Sequence, residues 1–87
     1  MLLRWVRLDA PHGLHARPCS RIAETMKGFR GQLRIRHQGR SADASSVLDL
    51  MTLNAPDGAV LELLAEGEDA ARILDAVVDL FRRRFEN

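Results

Sequence analysis

The residue with the most chemistry to offer is His15, set in the run Gly13-Leu14-His15-Ala16-Arg17-Pro18. It stands just ahead of a helix-forming stretch, residues 16–27, with an arginine two places further on. The first N–H groups of a helix have no intrahelical acceptor and carry the positive end of its dipole, so they bind anions such as phosphate. Gly13 lets the backbone turn sharply into the site. Pro18 falls in the first helical turn, where its missing N–H breaks no ladder bond. An imidazole with a free nitrogen lone pair could take up a phosphoryl group here. The backbone N–H groups of Ala16 and Arg17, with the fork of the Arg17 guanidinium, would then stabilise the dianion. A carrier must also give the group away, so the expected site is shallow and exposed.

Neighbouring residues have plainer readings. Cys19 falls in an apolar stripe, where a thiol acts as a small hydrophobe, and the spacing does not turn its sulfur toward His15. A metal site built from His12, His15 and Cys19 lacks a fourth ligand and matches no common zinc spacing. Neither a metal nor a cofactor is therefore expected. Ser46 suits the N-cap of a short helix. Val47, Leu48 and Met51 follow it, some expected inward and some forming an exposed apolar patch for partners.

The elements that hold these residues follow from periodicity. Residues 2–8 read as a strand with imperfect alternation. In residues 16–27, Ala16, Cys19, Ile22, Ala23 and Met26 recur at the steps of one buried helical stripe, with Gly28 as the C-terminal cap. Residues 32–37 alternate, Gln38-Gly39 reads as a tight turn, and residues 40–43 return as a short strand. Residues 47–53 form a short apolar helix. Residues 60–66 alternate again, with Leu61, Leu63 and Ala65 on one face. A long final helix then carries the stripe Ala70, Ile73, Leu74, Val77, Val78, Phe81 and Phe85, and Arg82, Arg83 and Arg84 suit its C-terminal dipole. The order is β-α-β-β-α-β-α. It implies an α+β fold of two layers, a four-stranded sheet with its helices on one side.

The 87 residues make one expected domain, 1–87, with no internal repeat or linker. An apolar fraction of 46% and a charged fraction of 29% argue against disorder. Thirteen basic and twelve acidic residues leave a net charge of +1, which gives no general pull toward nucleic acid or anionic membrane. Arg34, Arg36 and Arg40 could suggest an RNA-binding sheet, but the aromatic stacking residues of such a sheet are missing. No run approaches the roughly 20 apolar residues of a membrane span. Arginines at positions 4 and 7 stand where a signal peptide needs an apolar core. A lone cysteine suits a reducing compartment. The expected setting is the cytoplasm, without membrane insertion.

Three blocks then occur in order on this frame: Gly-Leu-His-Ala-Arg-Pro at 13–18, Ser-Val-Leu-Asp-Leu-Met-Thr-Leu at 46–53, and Ala-Glu-Gly-Glu-Asp at 65–69. Together they resemble HPr, the histidine phosphocarrier of the bacterial phosphoenolpyruvate-dependent phosphotransferase system, over nearly the full length. The resemblance implies an open-faced β-sandwich with an antiparallel sheet and three helices on one face. It also implies a relay, in which His15 accepts a phosphoryl group on Nδ1 from phosphorylated enzyme I and passes it to an enzyme IIA domain. Val47, Leu48 and Met51 would belong to the docking surface, and a monomer is the default expectation for a hub that presents one small face to several partners. It would be acceptor and donor rather than a turnover enzyme. In the family, the residue at Ser46 can be a regulatory phosphorylation site for a dedicated serine kinase. Asp49 stands where the family often has glycine, which weighs against recognition by such a kinase. Gly28-Phe29 and the Leu80-Phe81…Phe85 ending lean toward the nitrogen-related branch, with the sugar branch open. The alternative to a relay is a regulatory binding protein of the same system that signals through its phosphorylation state.

Overall fold

A computed structural model describes residues 1–86, so the last residue of the expected 1–87 domain lies outside the described residues. The elements are β1 (Leu2–Arg7), α1 (Ala16–Met26), β2 (Gln32–His37), β3 (Arg40–Asp43), α2 (Val47–Met51), β4 (Val60–Glu66) and α3 (Ala70–Arg82). Their order is the expected one. All strand pairs are antiparallel, in the spatial order β1-β4-β2-β3.

The alternation in β4 sends Leu61, Leu63 and Ala65 to one face, where all three are fully buried. Leu33 and Ile35 of β2 stand directly opposite Ala65 and Leu63. Over this face lie Ile22 and Met26 of α1, Leu50 of α2, and Ile73, Leu74, Val77 and Phe81 of α3, all in one core. The other face is open. Trp5, Arg34 and Arg36 are exposed on it, and Arg36 pairs with Glu62 at 3.3 Å. At the hairpin between β2 and β3, Gln38 and Gly39 take φ of +49° and +81°, the paired left-handed residues of a tight turn that matches strand twist.

Several boundaries differ from expectation, each for a local reason. β1 stops at Arg7. Leu8 is fully buried beyond it, trading backbone hydrogen bonds with Gly58 and Ala59 instead of continuing the ladder. β1 is an edge strand paired only with β4; Leu3 and Trp5, opposite Leu64 and Glu62, point to the open face and Leu2 lies at the exposed start of the strand, so its alternation looks imperfect. Lys27 rather than Gly28 is the C-cap of α1. α2 is shorter than residues 47–53, with Thr52 as its C-cap.

The largest correction concerns α3. It ends at Arg82, so of the three arginines only Arg82 sits in the last helical turn. Arg84 N–H donates to Phe81 O at 3.1 Å and Phe85 N–H to Leu80 O at 2.8 Å, closing a Schellman turn. Phe85 is buried and packs edge-on against Phe81, with ring centres 4.9 Å apart. It joins the core through this turn, not through helical periodicity.

The loop that carries His15 is clamped to the turn before β4. Leu14 N–H donates to Ala55 O at 2.8 Å, and Ala10 N–H to Asp57 Oδ1 at 3.0 Å. Gly13 takes φ +71°, and a Cβ there would lie 2.6 Å from Ala55 O, so only glycine fits.

Candidate functional site at the start of the first helix

His15 is the N-cap of α1, with extended φ −92° and ψ −170°, and its side chain makes no capping hydrogen bond. A serine or aspartate at this position would turn its oxygen onto the first N–H groups. The first ladder bond is Cys19 N–H to His15 O, at 3.1 Å. Ahead of it stand the N–H groups of Ala16 and Arg17, while Pro18 has none to offer. Leu14 before the histidine, and Pro18 and Cys19 after it, are buried and fix the backbone. The His15 ring is half-buried, and Arg17 is exposed beside it. The expected histidine, arginine and helix start are thus brought together.

They border an open cleft of about 270 Å³. His12 stands on it with its ring edge-on to His15, centroids 5.8 Å apart. From the far end of the chain come Arg84 and Glu86, and the Arg84 Nε lies 3.1 Å from Asp9 Oδ2. Sequence reasoning did not place Asp9, Arg84 or Glu86 at the site, because no local pattern connects them to it. For His12 the only hint was its position three residues before His15, with a glycine between. A larger open groove of about 590 Å³ runs past Arg4, Phe29 and Arg72. It holds no nucleophile, and its arginines alternate with Asp75 and Asp79, so it lacks the character of a phosphoryl site.

The remaining candidates have structural partners. Cys19 is fully buried, its thiol 3.6 Å from Leu14 O, and burial pushes the thiol up to about 11. It is thus an uncharged core residue at neutral pH. His37 Nδ1 lies 3.3 Å from Leu53 O, away from the cleft. Among the described residues no group of three or more His, Cys, Asp or Glu side chains is arranged to hold a metal ion.

Ser46 caps α2, its Oγ accepting from Asp49 N–H at 3.2 Å. The Asp49 carboxylate accepts from Asp43 N–H at 2.6 Å. The Asp43 carboxylate in turn accepts from the backbone and hydroxyl of Ser45, which hold its pKa below the usual carboxylate value. α2 packs beside α1 and presents the expected mixture: Leu50 is buried, Val47 half-buried, Met51 exposed, and Leu48 78% exposed. These residues do not line the His15 cleft.

The family model described as PTS HPr component phosphorylation site matches residues 4–83. The chain belongs to the HPr family. The phosphocarrier protein HPr of Buchnera aphidicola is 35% identical over 75 residues, 86% of this chain and 88% of that protein. HPr-C-His from Thermoanaerobacter tengcongensis, known from its crystal structure, is 31% identical with a TM-score of 0.93, covering 100% of this chain and 99% of that one. A different kind of relative is the PEP-dependent dihydroxyacetone kinase phosphoryl donor subunit DhaM of Providencia stuartii. It is 34% identical over 82 residues, 94% of this chain but only 17% of that longer protein. The HPr fold expected from the sequence is the fold observed, a four-stranded antiparallel sheet with three helices. No helix among the described residues is long and apolar enough to cross a membrane.

Proposed function

We propose that this HPr-family chain is a phosphoryl relay with His15 as its transient carrier. The supporting observation is the N-cap geometry: an imidazole that makes no capping bond, placed in an open cleft at the start of an 11-residue helix. In the first step the lone pair on His15 Nδ1 attacks the phosphorus held by phosphorylated enzyme I. A P–N bond forms as the donor's bond to phosphorus breaks, and the proton on Nε2 stays in place. In the second step an acceptor on an enzyme IIA domain attacks, and the P–N electron pair returns to the imidazole. Ala16 N–H, Arg17 N–H and the Arg17 guanidinium hold the dianion between the two steps. A half-exposed ring in a shallow cleft suits a group that must be loaded and unloaded.

Leu48 and Met51 expose apolar surface on a helix packed beside α1, as docking by several protein partners would require. The relay works as a monomer in the cytoplasm. Ser46 acts first as a helix cap. The carboxylate of Asp49, three residues into the same short helix, opposes a second negative charge there. Phosphorylation of Ser46 by a serine kinase would be detected by mass spectrometry after incubation with host lysate and ATP.

The relay is tested by phosphoryl uptake from enzyme I in three variants. His15→Ala abolishes uptake, whereas His12→Ala and His37→Ala retain it. Undiminished uptake by the His15 variant would overturn the assignment.

A further inference from the structure

Arg84 occupies a backbone position that an arginine has little reason to hold. It is the first residue past the C-cap of α3, the place where a Schellman turn ordinarily has glycine, and its φ is +57°. Phe85 follows at φ +61°, so two side-chain-bearing residues in succession take the left-handed conformation. Burial of Phe85 against Phe81 accounts for the second. It does not account for an arginine at the first. Strained residues of this kind gather at functional sites.

The side chain shows where it is directed. Arg84 lines the same cleft as His15 and Arg17, and its Nε meets Asp9 at 3.1 Å. Both side chains of that pair are more than half exposed, at 55% and 60%. An exposed pair of this kind is weak and is easily exchanged for a better anion. A phosphoryl dianion in the cleft is such an anion, because its oxygens accept paired, charge-assisted hydrogen bonds from a guanidinium fork.

We propose that Arg84 is a second phosphoryl-binding cation: it rests on Asp9 in the bare protein and turns to the phosphoryl oxygens once His15 is charged. This rests on the carrier reading above and adds a residue from the opposite end of the chain. Arg17 and Arg84 then face the group from two sides, with Asp9 as the holding acid. Glu86, also on the cleft, disfavours the charged state and keeps the group transferable.

The test is the phosphoryl-transfer equilibrium with enzyme I, followed by phosphorus NMR of the intact chain, together with proton–nitrogen NMR of its arginine side chains. Arg84→Gly removes the guanidinium and suits the left-handed backbone, so the variant should melt no lower than the parent. Its equilibrium constant for accepting the phosphoryl group is expected to fall about tenfold, ~1.4 kcal/mol. Asp9→Asn, which releases the guanidinium, is expected to raise the constant about two- to threefold. In the unsubstituted protein, the Arg84 Nε–H resonance should shift on phosphorylation. An Arg84→Gly variant with a parental equilibrium constant, or an Arg84 Nε–H resonance that does not move, would overturn the proposal and leave the relay intact. Failure of the unsubstituted protein to take up phosphate would instead overturn the relay.

Discussion

Replacing Gly13 by alanine tests how the fold places His15. Alanine at φ +71° incurs the left-handed penalty, and its Cβ would lie 2.6 Å from Ala55 O, the oxygen that accepts Leu14 N–H. The first effect costs ~1–2 kcal/mol and loss of the backbone bond about 1 kcal/mol more, for a total of roughly 2–3 kcal/mol. At about 4–8 °C per kcal/mol for a domain of this size, Tm should fall by roughly 8–24 °C. Gly39→Ala is the control. Its φ is +81°, but nothing lies within 4 Å of the added Cβ, so only the conformational penalty applies. Thermal unfolding of the two variants side by side isolates the clash, and Gly13→Ala should be the less stable by about 1 kcal/mol. The change also reaches the site, since His15 N–H donates to Gly13 O at 3.0 Å. Displacing the imidazole should slow phosphoryl uptake by about 10–100-fold at a temperature where the variant is still folded. Equal losses of Tm in the two variants, with uptake unchanged in Gly13→Ala, would refute the claim that the Ala55 contact positions the histidine.

Other expectations follow from single contacts. The raised Cys19 pKa means that the folded state keeps its proton while an unfolded thiol ionises. Stability from this group is therefore full below the ordinary thiol pKa of about 8.5 and is lost as pH rises toward the folded value. Cys19→Ala should flatten the decline of unfolding free energy over that window, and an unchanged slope would contradict it. Ser46→Ala removes the oxygen that accepts Asp49 N–H and should cost about 1 kcal/mol in denaturant unfolding, while leaving His15 able to accept phosphate. Leu48→Glu changes a residue that is 78% exposed, so Tm should hold while transfer to an enzyme IIA domain falls. Normal transfer in that variant would move the docking surface elsewhere.

The parts of the fold legible in the sequence were those fixed by local pattern. The alternation of Leu61, Leu63 and Ala65 marked β4, and the Gln38-Gly39 turn marked where β3 begins. Ala16 opens α1 where the motif implied. What local pattern could not show was topology. The exposure of Leu3 and Trp5 depends on all three helices covering the other face of the sheet, which the residues of β1 do not encode. Phe85 lies four residues after Phe81 and so mimics a further helical turn, although a left-handed reversal takes it to the same core. At the site, His15 and Arg17 were legible because they share one short motif. Arg84 was not, because its pairing with Asp9 joins the two ends of the chain.

The most direct test of the relay is intact-mass spectrometry after mixing the protein with phosphoenolpyruvate and enzyme I from the same host. The relay predicts a gain of one phosphoryl group that is lost on acidification, maps to His15 in tandem fragmentation and is absent from His15→Ala. A folded protein that gains no phosphoryl group from active enzyme I, or gains it at another residue, would contradict His15 as the carrier.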